Sequence, residues 1–327
     1  MTSTAPVSCW VLSDGAAGNE RQARALAAAL GGGIRVVRLH VREPWATLAP
    51  RLVIGARSAI RDAAGDPLAP PWPHIAIGCG RRAALATRAL RDWSEGRTFT
   101  VQILDPRIDP RAFDVVVAPQ HDRVRGDNVI RSIGALNPVD AAWLQAGRAA
   151  FPAFGELAAP RTVVLVGATN AAQRIDRSYF DTLLERLAAW HAHDGGSYLV
   201  SASRRTPPEI AAHLRSAFAD WPGIFWSYPD DGPNPYAGFL GWADRFVVTP
   251  DSVNMISEAS ATGKPVYTFA PRAITGKLAR FHAELRASGH LRMLDAVSER
   301  PQAAPLDETR AIAELVRERW LVSKRGG

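Results

Sequence analysis

Cysteine is scarce in this sequence, which has only Cys9 and Cys79 among its 327 residues. Two cysteines cannot build a disulfide framework, and they offer no paired spacing for a metal site. We therefore expect a reducing, cytoplasmic environment. The first ten residues contain no basic leader followed by an apolar run, so we also expect no secretion signal.

Long apolar runs are also missing. The most apolar stretches, residues 162–167 and 246–249, have the length of a strand. A membrane helix needs roughly 20 consecutive apolar residues. We therefore expect no transmembrane helix, which leaves peripheral contact as the way this chain would meet a membrane.

Several motifs of well-known chemistry are absent as well. No Asp-x-Asp follows a predicted strand, as it does in metal-dependent sugar transferases, and neither H-E-x-x-H nor G-x-S-x-G occurs. Metal-dependent and acyl-transfer chemistry are therefore disfavoured. We expect no metal site and no cofactor.

The length of the chain favours two domains, because a single hydrophobic core stops growing near roughly 250–300 residues. The hydrophobic share of 47% and the charged share of 22% are typical of a globular protein. We expect an N-terminal domain over residues 1–155, a C-terminal domain over 156–306, and a C-terminal helix and tail over 307–327.

Positive charge is concentrated in the first half. Residues 1–155 hold 19 Arg against 13 Asp and Glu, a balance of 19 − 13 = +6, out of +7 for the whole chain. This asymmetry suggests an anionic partner, such as a phospholipid surface, a lipid phosphate or a nucleic acid. Nucleic acid is the least favoured, because no recognition motif accompanies the charge. A solvated, arginine-rich surface is the alternative.

Short apolar runs alternate with helical patterns in both halves of the chain. The runs of the first half lie at residues 8–13, 34–39, 74–78, 99–104 and 113–118. The pattern restarts with residues 162–167 and continues at 198–201, 224–226, 245–249 and 265–269. Such alternation predicts βαβ units and mainly parallel sheets. The predicted fold class is α/β with two Rossmann-like domains.

The strongest local signal is a strand, a capped helix, a glycine stop and a further strand over residues 249–266. Asp251 or Ser252 can cap the helix, and Asn254 lies in its first turn. Backbone N–H groups at a helix N-terminus suit a nucleotide phosphate. Glu258, about two turns further on, could accept from ribose hydroxyls. The alternative is an ordinary capped helix with an exposed glutamate.

Two small-residue turns follow strands at the sheet edge where open α/β folds bind ligands. Small residues there let a phosphate approach closely, although a plain tight turn fits equally well. The residues of the second half are Gly167, Ala168, Thr169 and Asn170, and those of the first half are Asp14, Gly15, Gly18 and Asn19.

Polar residues follow two further predicted strands of the first half. Asp105 and Arg107 follow one strand, and His121, Asp122 and Arg123 follow the other. His121 beside Asp122 could serve as a general base, and Arg107 or Arg123 could hold an anion. Loop capping and surface ion pairs are the alternative.

With these residues in hand, the chain resembles the mitochondrial-fission (elongated mitochondria) protein family, whose bacterial members are viewed as glycosyltransferases. The resemblance covers nearly the whole chain. It rests on the segments SDGAAGNERQ (13–22), QILDPR (102–107), APQHD (118–122) and TPDSVNMISEASATGKPV (249–266).

At greater distance, the layout is similar to the GT-B transferase that adds N-acetylglucosamine to a lipid-linked peptidoglycan precursor. That resemblance implies two domains facing across a cleft, with the acceptor on the first and the nucleotide sugar on the second. Glu258 would bind the ribose, and residues 167–170 would lie near the diphosphate. The relative's first loop ends in a catalytic histidine where this chain has Asn19. Another base is then required, and the catalytic candidates are Asp14, His121 and Asp122.

Together these expectations describe a metal-independent, inverting transfer of a sugar from a nucleoside diphosphate to an anionic, lipid-linked acceptor at the inner face of the cytoplasmic membrane. Two alternatives stay open. One is a non-catalytic recruitment protein that keeps the fold, and the other is a nucleotide-sugar epimerase.

Overall fold

The computed structural model describes residues 7–170, 172–227, 231–294 and 304–325. The chain forms two compact units, each considered by itself below. The first unit joins Met1–Pro138 to Glu308–Gly327, and the second is Val139–Asp307.

The first unit is a mainly parallel sheet covered by helices. Its strands are β1 (Ser8–Ser13), β2 (Gly33–Val41), β3 (Ile60–Asp62), β4 (Ile75–Cys79), β5 (Phe99–Ile103), β6 (Val115–Pro119) and β7 (Val129–Ser132). Its first helices are α1 (Ala17–Leu30), α2 (Trp45–Leu48), α3 (Ala56–Ala59) and α4 (Arg81–Trp93). The strand order is β3-β2-β1-β4-β5-β6-β7, and β3 is antiparallel to β2.

The core of this unit follows from the alternation of side chains along its strands. In β1, Cys9 and Val11 pack on the face covered by α1, whereas Trp10 and Leu12 pack on the opposite face. Strands β4, β5 and β6 are buried along their whole length. This is the burial expected of central parallel strands with helices on both faces.

The second unit is an all-parallel sheet. Its strands are β8 (Arg161–Val166), β9 (Ser197–Ala202), β10 (Gly223–Ser227), β11 (Arg245–Val248), β12 (Val266–Thr268) and β13 (Arg292–Met293). Its helices are α5 (Ala141–Ala150), α6 (Arg177–Asp194), α7 (Pro208–Ala217), α8 (Tyr236–Trp242), α9 (Val253–Ala261) and α10 (Gly276–Ala287). The strand order is β10-β9-β8-β11-β12-β13.

Both units have the strand order of a Rossmann fold. Counted within each unit, the strands lie in the order 3-2-1-4-5-6, and the first unit adds a seventh. The order reverses between β1 and β4 in the first unit and between β8 and β11 in the second. Ligands of open α/β sheets bind at this switch point, beyond the carboxyl ends of the strands. The predicted fold class, α/β with two Rossmann-like parallel sheets, is confirmed.

The unit boundaries differ from the expected division in two places. The last helix, α11 (Glu308–Arg325), belongs to the first unit, because its Ile312 and Val316 pack in the same core as α1. The Glu308 carboxylate also accepts from the N–H groups of Ile133 (2.6 Å) and Gly134 (2.7 Å).

Helix α5 and the turn that follows it, expected in the first domain, belong to the second unit. A Cβ on Gly147 of α5 would lie 2.3 Å from the carbonyl oxygen of Ala237, so α5 packs closely against α8. Among the described residues, no helix is long and apolar enough to cross a bilayer. The expectation about a leader also involves residues 1–6, which lie outside the described ranges.

Candidate functional site

The switch point of the second unit is held together by a hydrogen-bond network between the ends of β8 and β11. The N–H of Gly167 donates to Thr249 Oγ1 (2.8 Å), and the N–H of Ala168 donates to Asp251 Oδ2 (3.1 Å). The Thr249 hydroxyl donates to Asp251 Oδ1 (2.6 Å). These residues meet because β8 and β11 are adjacent and parallel, with Leu165 opposite Val248. We call Gly167, Ala168, Thr249 and Asp251 the switch network.

Asp251 is the centre of this network, and its side chain is fully buried. Burial raises its pKa above the ordinary range, although hydrogen bonds from Thr249 and Ala168 oppose the shift. Glycine is required at position 167, because a Cβ there would lie 2.3 Å from both Asp251 carboxylate oxygens. The Arg205 guanidinium lies 3.7 Å from the same carboxylate, with 62% of its side chain exposed.

Ser252, and not Asp251, caps helix α9. The Ser252 hydroxyl accepts from the N–H of Met255 (3.3 Å), and the Ser252 backbone is extended. The sequence left these two residues as alternative caps, and the structure assigns the neighbouring Asp251 to the switch network. Asn254 lies in the first turn of α9 and is partly buried.

The loop after β8 is further fixed by its own side chains. Asn170 donates through Nδ2 to the carbonyl of Asp251 (3.1 Å), and its Oδ1 accepts from the N–H of Gln173 (2.9 Å). The Thr169 hydroxyl donates to the carbonyl of Ile175 (2.9 Å). Since the N–H groups of Gly167 and Ala168 already donate within the network, a phosphate near this loop would meet Arg205 and the N-terminus of α9.

Glu258 lies on the second turn of α9 and is buried, with 3% of its surface exposed. The hydroxyl of Tyr236, at the start of α8, donates to its carboxylate. The sequence predicted an exposed or ribose-binding glutamate. The structure buries Glu258 beside Tyr236, a residue that is itself partly exposed, and the ribose contact stays a prediction.

In the first unit, Asp14 and Asn19 come together at the switch point between β1 and β4. A Cβ on Gly80, which precedes α4, would lie 2.5 Å from Asn19 Nδ2 and 3.4 Å from Asp14 Oδ2. Asp14 is partly exposed, and its Oδ1 accepts from the N–H of Ala16 (3.2 Å). Gly15 has a φ of 85°, and Gly18 lies in the first turn of α1.

Glu20 holds the start of this loop through a hydrogen bond and ion pairs. Its carboxylate accepts from the Ser13 hydroxyl (2.7 Å) and pairs with Arg24 (3.0 Å) and Arg38 (3.6 Å). Burial raises the pKa of Glu20, but the hydrogen bonds from Ser13 and Arg24 outweigh it and leave the pKa below its usual value. Glu20 is therefore a charged anchor of the Asp14 loop that the sequence did not reveal.

The loop after β5 carries Asp105 and Arg107. Asp105 Oδ1 accepts from the N–H of Arg107 (2.7 Å), and the Arg107 side chain is exposed. Leu104 and Arg107 both have positive φ, 70° and 58°. Non-glycine residues rarely adopt this conformation, and strained backbone of this kind clusters at functional sites.

His121 and Asp122, at the end of β6, are both buried, with 3% and 5% of their surfaces exposed. Their loop is held by Arg131, which donates to the carbonyls of Gln120 and Asp122. Of the three predicted bases, Asp14 is thus the most accessible. The described residues contain no cluster of three or more His, Cys, Asp or Glu that could hold a metal ion.

Two Rossmann-like units, each with polar loops at its switch point, define the GT-B class of fold. The UDP-GlcNAc 2-epimerase of Methanocaldococcus jannaschii superposes on 95% of this chain and 99% of its own, with a TM-score of 0.56 and 10% identity. A second structure from that organism, described as a complex with UDP-GlcNAc and UDP, gives a TM-score of 0.51 at 8% identity with the same coverage. Structural similarity at 8–10% sequence identity establishes the fold alone.

Within this class, the chain belongs to the mitochondrial fission ELM1 family, whose sequence profile matches residues 17–320. Mitochondrial fission protein ELM1 of Arabidopsis thaliana is 31% identical over 277 residues, which is 75% of this chain. The match spans 63% of the plant protein, less than two thirds of its length. The uncharacterized protein RP120 of Rickettsia prowazekii (strain Madrid E) is 25% identical over 94% of this chain and 97% of its own length. The predicted family membership is confirmed.

Proposed function

We propose that this protein binds a nucleoside diphosphate sugar on its second unit and transfers the sugar to an anionic acceptor on its first. The observation that carries the proposal is the switch network, which fixes the β8 loop beside the N-terminus of α9. A helix N-terminus and the exposed Arg205 together favour the negative charge of a diphosphate. The M. jannaschii epimerase described in complex with UDP-GlcNAc and UDP supports a uridine nucleotide sugar as the first ligand to test.

In the proposed reaction, the acceptor hydroxyl oxygen attacks the anomeric carbon of the sugar while the bond from that carbon to the diphosphate breaks. The acceptor proton passes to a carboxylate base, and the diphosphate leaves with the bonding electrons. Arg205 and the α9 N-terminus stabilise the leaving group through electrostatic interactions. No metal is required in this scheme, in line with the missing Asp-x-Asp motif.

We assign the base to Asp14, because it is partly exposed at the switch point of the first sheet, whereas His121 and Asp122 are buried. Asp105 and Arg107 would bind the acceptor, since they follow β5, which is parallel to β1 on the far side of β4 and ends at the same sheet edge. Tyr236 and Glu258 would bind the nucleotide ribose together, the hydroxyl of one orienting the carboxylate of the other.

A thermal-shift screen against nucleoside diphosphates and their sugars tests the proposal first. A ligand that binds only the folded state raises the apparent stability, so the expected result is a concentration-dependent rise in Tm with one diphosphate. No rise with any nucleoside diphosphate or nucleotide sugar would reject the donor site.

Two other functions are favoured by particular observations. The fold shared with an epimerase favours interconversion of a nucleotide sugar, which would proceed without any added acceptor. Membership of a mitochondrial fission family favours a recruitment role, in which the wild-type protein would consume no nucleotide sugar. Product analysis with and without a membrane extract as acceptor separates all three.

A further inference from the structure

The most exposed large hydrophobic side chain among the described residues is Ile54, with 86% of its surface accessible. It lies in the segment from Pro44 to Arg61, which follows β2 at the carboxyl edge of the first sheet. Leu48 of the same segment is 48% exposed. We call residues 44–61 the docking segment.

The docking segment is held firmly, so Ile54 is not exposed through disorder of its loop. Arg81 of α4 donates to the carbonyls of Ala49 (3.1 Å) and Thr47 (2.7 Å). Arg88, further along the same helix, donates to the carbonyl of Pro50 (3.2 Å). The Trp45 indole donates to the carbonyl of Ile54 itself (2.8 Å). Ile54 is therefore presented to solvent by a fixed loop.

The charge of the docking segment indicates which kind of partner would bind it. Its sequence, PWATLAPRLVIGARSAIR, contains three arginines and no aspartate or glutamate. Arg61 is engaged with its own segment, donating to the carbonyls of Arg57 and Ile60. Arg51 and Arg57 are exposed, and no ion pair engages either of them within the described ranges. Glu43 and Asp62 border the segment, but Glu43 accepts from the N–H of Thr47 and Asp62 accepts from the N–H groups of Ala64 and Asp66. An exposed apolar side chain flanked by arginines that form no ion pair with these carboxylates matches an anionic lipid headgroup layer above acyl chains.

We propose that the docking segment binds the surface of an anionic phospholipid bilayer, with Leu48 and Ile54 entering the acyl boundary and Arg51 and Arg57 contacting lipid phosphates. The Arg51 guanidinium also donates to the carbonyl of Arg107 (3.5 Å). The bilayer would therefore lie beside the Asp105–Arg107 loop. If the proposed transferase function holds, this position gives the acceptor site direct access to a lipid-anchored acceptor.

The test is co-sedimentation of the full chain with phosphatidylcholine vesicles that contain or lack phosphatidylglycerol, at low and high salt. Wild-type protein should bind only the anionic vesicles, and salt should weaken binding by screening. Ile54→Asp should weaken it at least about tenfold, from the lost burial of one isoleucine. Arg51→Gln and Arg57→Gln should each weaken it about fivefold.

Val322→Asp is the matched control. Val322 is 69% exposed on α11, a basic helix of the same unit and the rival membrane-binding element. This variant should bind vesicles like wild type. An equal loss in Val322→Asp and Ile54→Asp, unchanged binding in Ile54→Asp, or no binding of wild type would each overturn the proposal.

Gel filtration and nucleotide binding complete the test. If Ile54→Asp converts an oligomer to a monomer in gel filtration, the segment is a protein interface and the proposal is wrong. The thermal shift with nucleoside diphosphates should be the same in wild type and Ile54→Asp, so the membrane proposal and the donor-site proposal can fail independently.

Discussion

Replacing Gly167 by alanine should destabilise the second unit through a single contact. The added Cβ would stand 2.3 Å from both oxygens of the buried Asp251 carboxylate, which must then move. Its displacement breaks the hydrogen bonds from Ala168 and Thr249. A buried group left without its partner costs about 1–3 kcal/mol, so we expect a loss of about 2–4 kcal/mol in unfolding free energy.

A double-mutant cycle isolates this contact. In an Asp251→Ala background the carboxylate is gone, and Gly167→Ala should then cost less than about 1 kcal/mol, giving a coupling energy of about 1–3 kcal/mol. Gly33→Ala, in β2 of the first unit, is the control for a glycine-to-alanine change without a clash, because nothing lies within 4 Å of a Cβ at that position, and it is followed on the transition of the first unit. Its effect should stay within about 0.5 kcal/mol.

The assay is urea unfolding followed by tryptophan fluorescence, with the transition of the second unit fitted separately, because two-domain chains need not unfold in a single step. If Gly167→Ala costs as much in the Asp251→Ala background as in wild type, the clash with the carboxylate is not the cause and the switch network has been misassigned.

The remaining predictions concern other buried or capping groups. Asp176 caps α6, and hydrogen bonds from the Ser178 hydroxyl and a backbone N–H lower its pKa to about 2. Asp176→Ala should therefore lower Tm at neutral pH. In thermal melts at a series of pH values, the difference in Tm between this variant and wild type should disappear as pH falls from 3.8 towards 2. Asp194 pairs with the buried Arg245. Asp194→Ala should lower the unfolding free energy by about 3–5 kcal/mol in urea unfolding, because it leaves the buried guanidinium charge without its partner. A loss below about 1 kcal/mol would contradict the pairing. Glu258→Ala should weaken nucleoside diphosphate binding by about 1–3 kcal/mol in calorimetry, because the ribose hydroxyl loses the carboxylate to which it would donate. Unchanged affinity would count against that contact.

The fold was largely predictable because its strands are short β-rich runs that end in small or polar turns. The run at 162–167 corresponds to β8 and the run at 245–249 to β11. Strands β3, β7 and β13 were not predicted; they have only two to four residues, although the equally short β12 was predicted. The family resemblance rested on four segments that begin at or near the ends of β1, β5, β6 and β11.

The site was predictable only in part, because a local pattern shows where a polar residue lies and not what it contacts. The sequence placed Gly167 and Asp251 at strand ends, but their contact depends on the pairing of β8 with β11. Arg205 follows β9, an adjacent strand whose loop gave no motif. Likewise, the hydrogen bonds of Glu308 to the loop after β7 assign the last helix to the first unit through residues far apart in sequence.

The most direct test of the transferase account is donor consumption by the full chain with a bacterial membrane extract as acceptor, measured beside donor affinity. We predict turnover by wild type and a fall of roughly 10²–10⁴-fold in Asp14→Asn with donor affinity nearly unchanged, the usual contribution of a positioned base. The same pair of measurements on His121→Ala and Asp122→Asn shows whether either is the base instead. Absence of wild-type turnover, or turnover and affinity falling together in all three variants, would contradict the account.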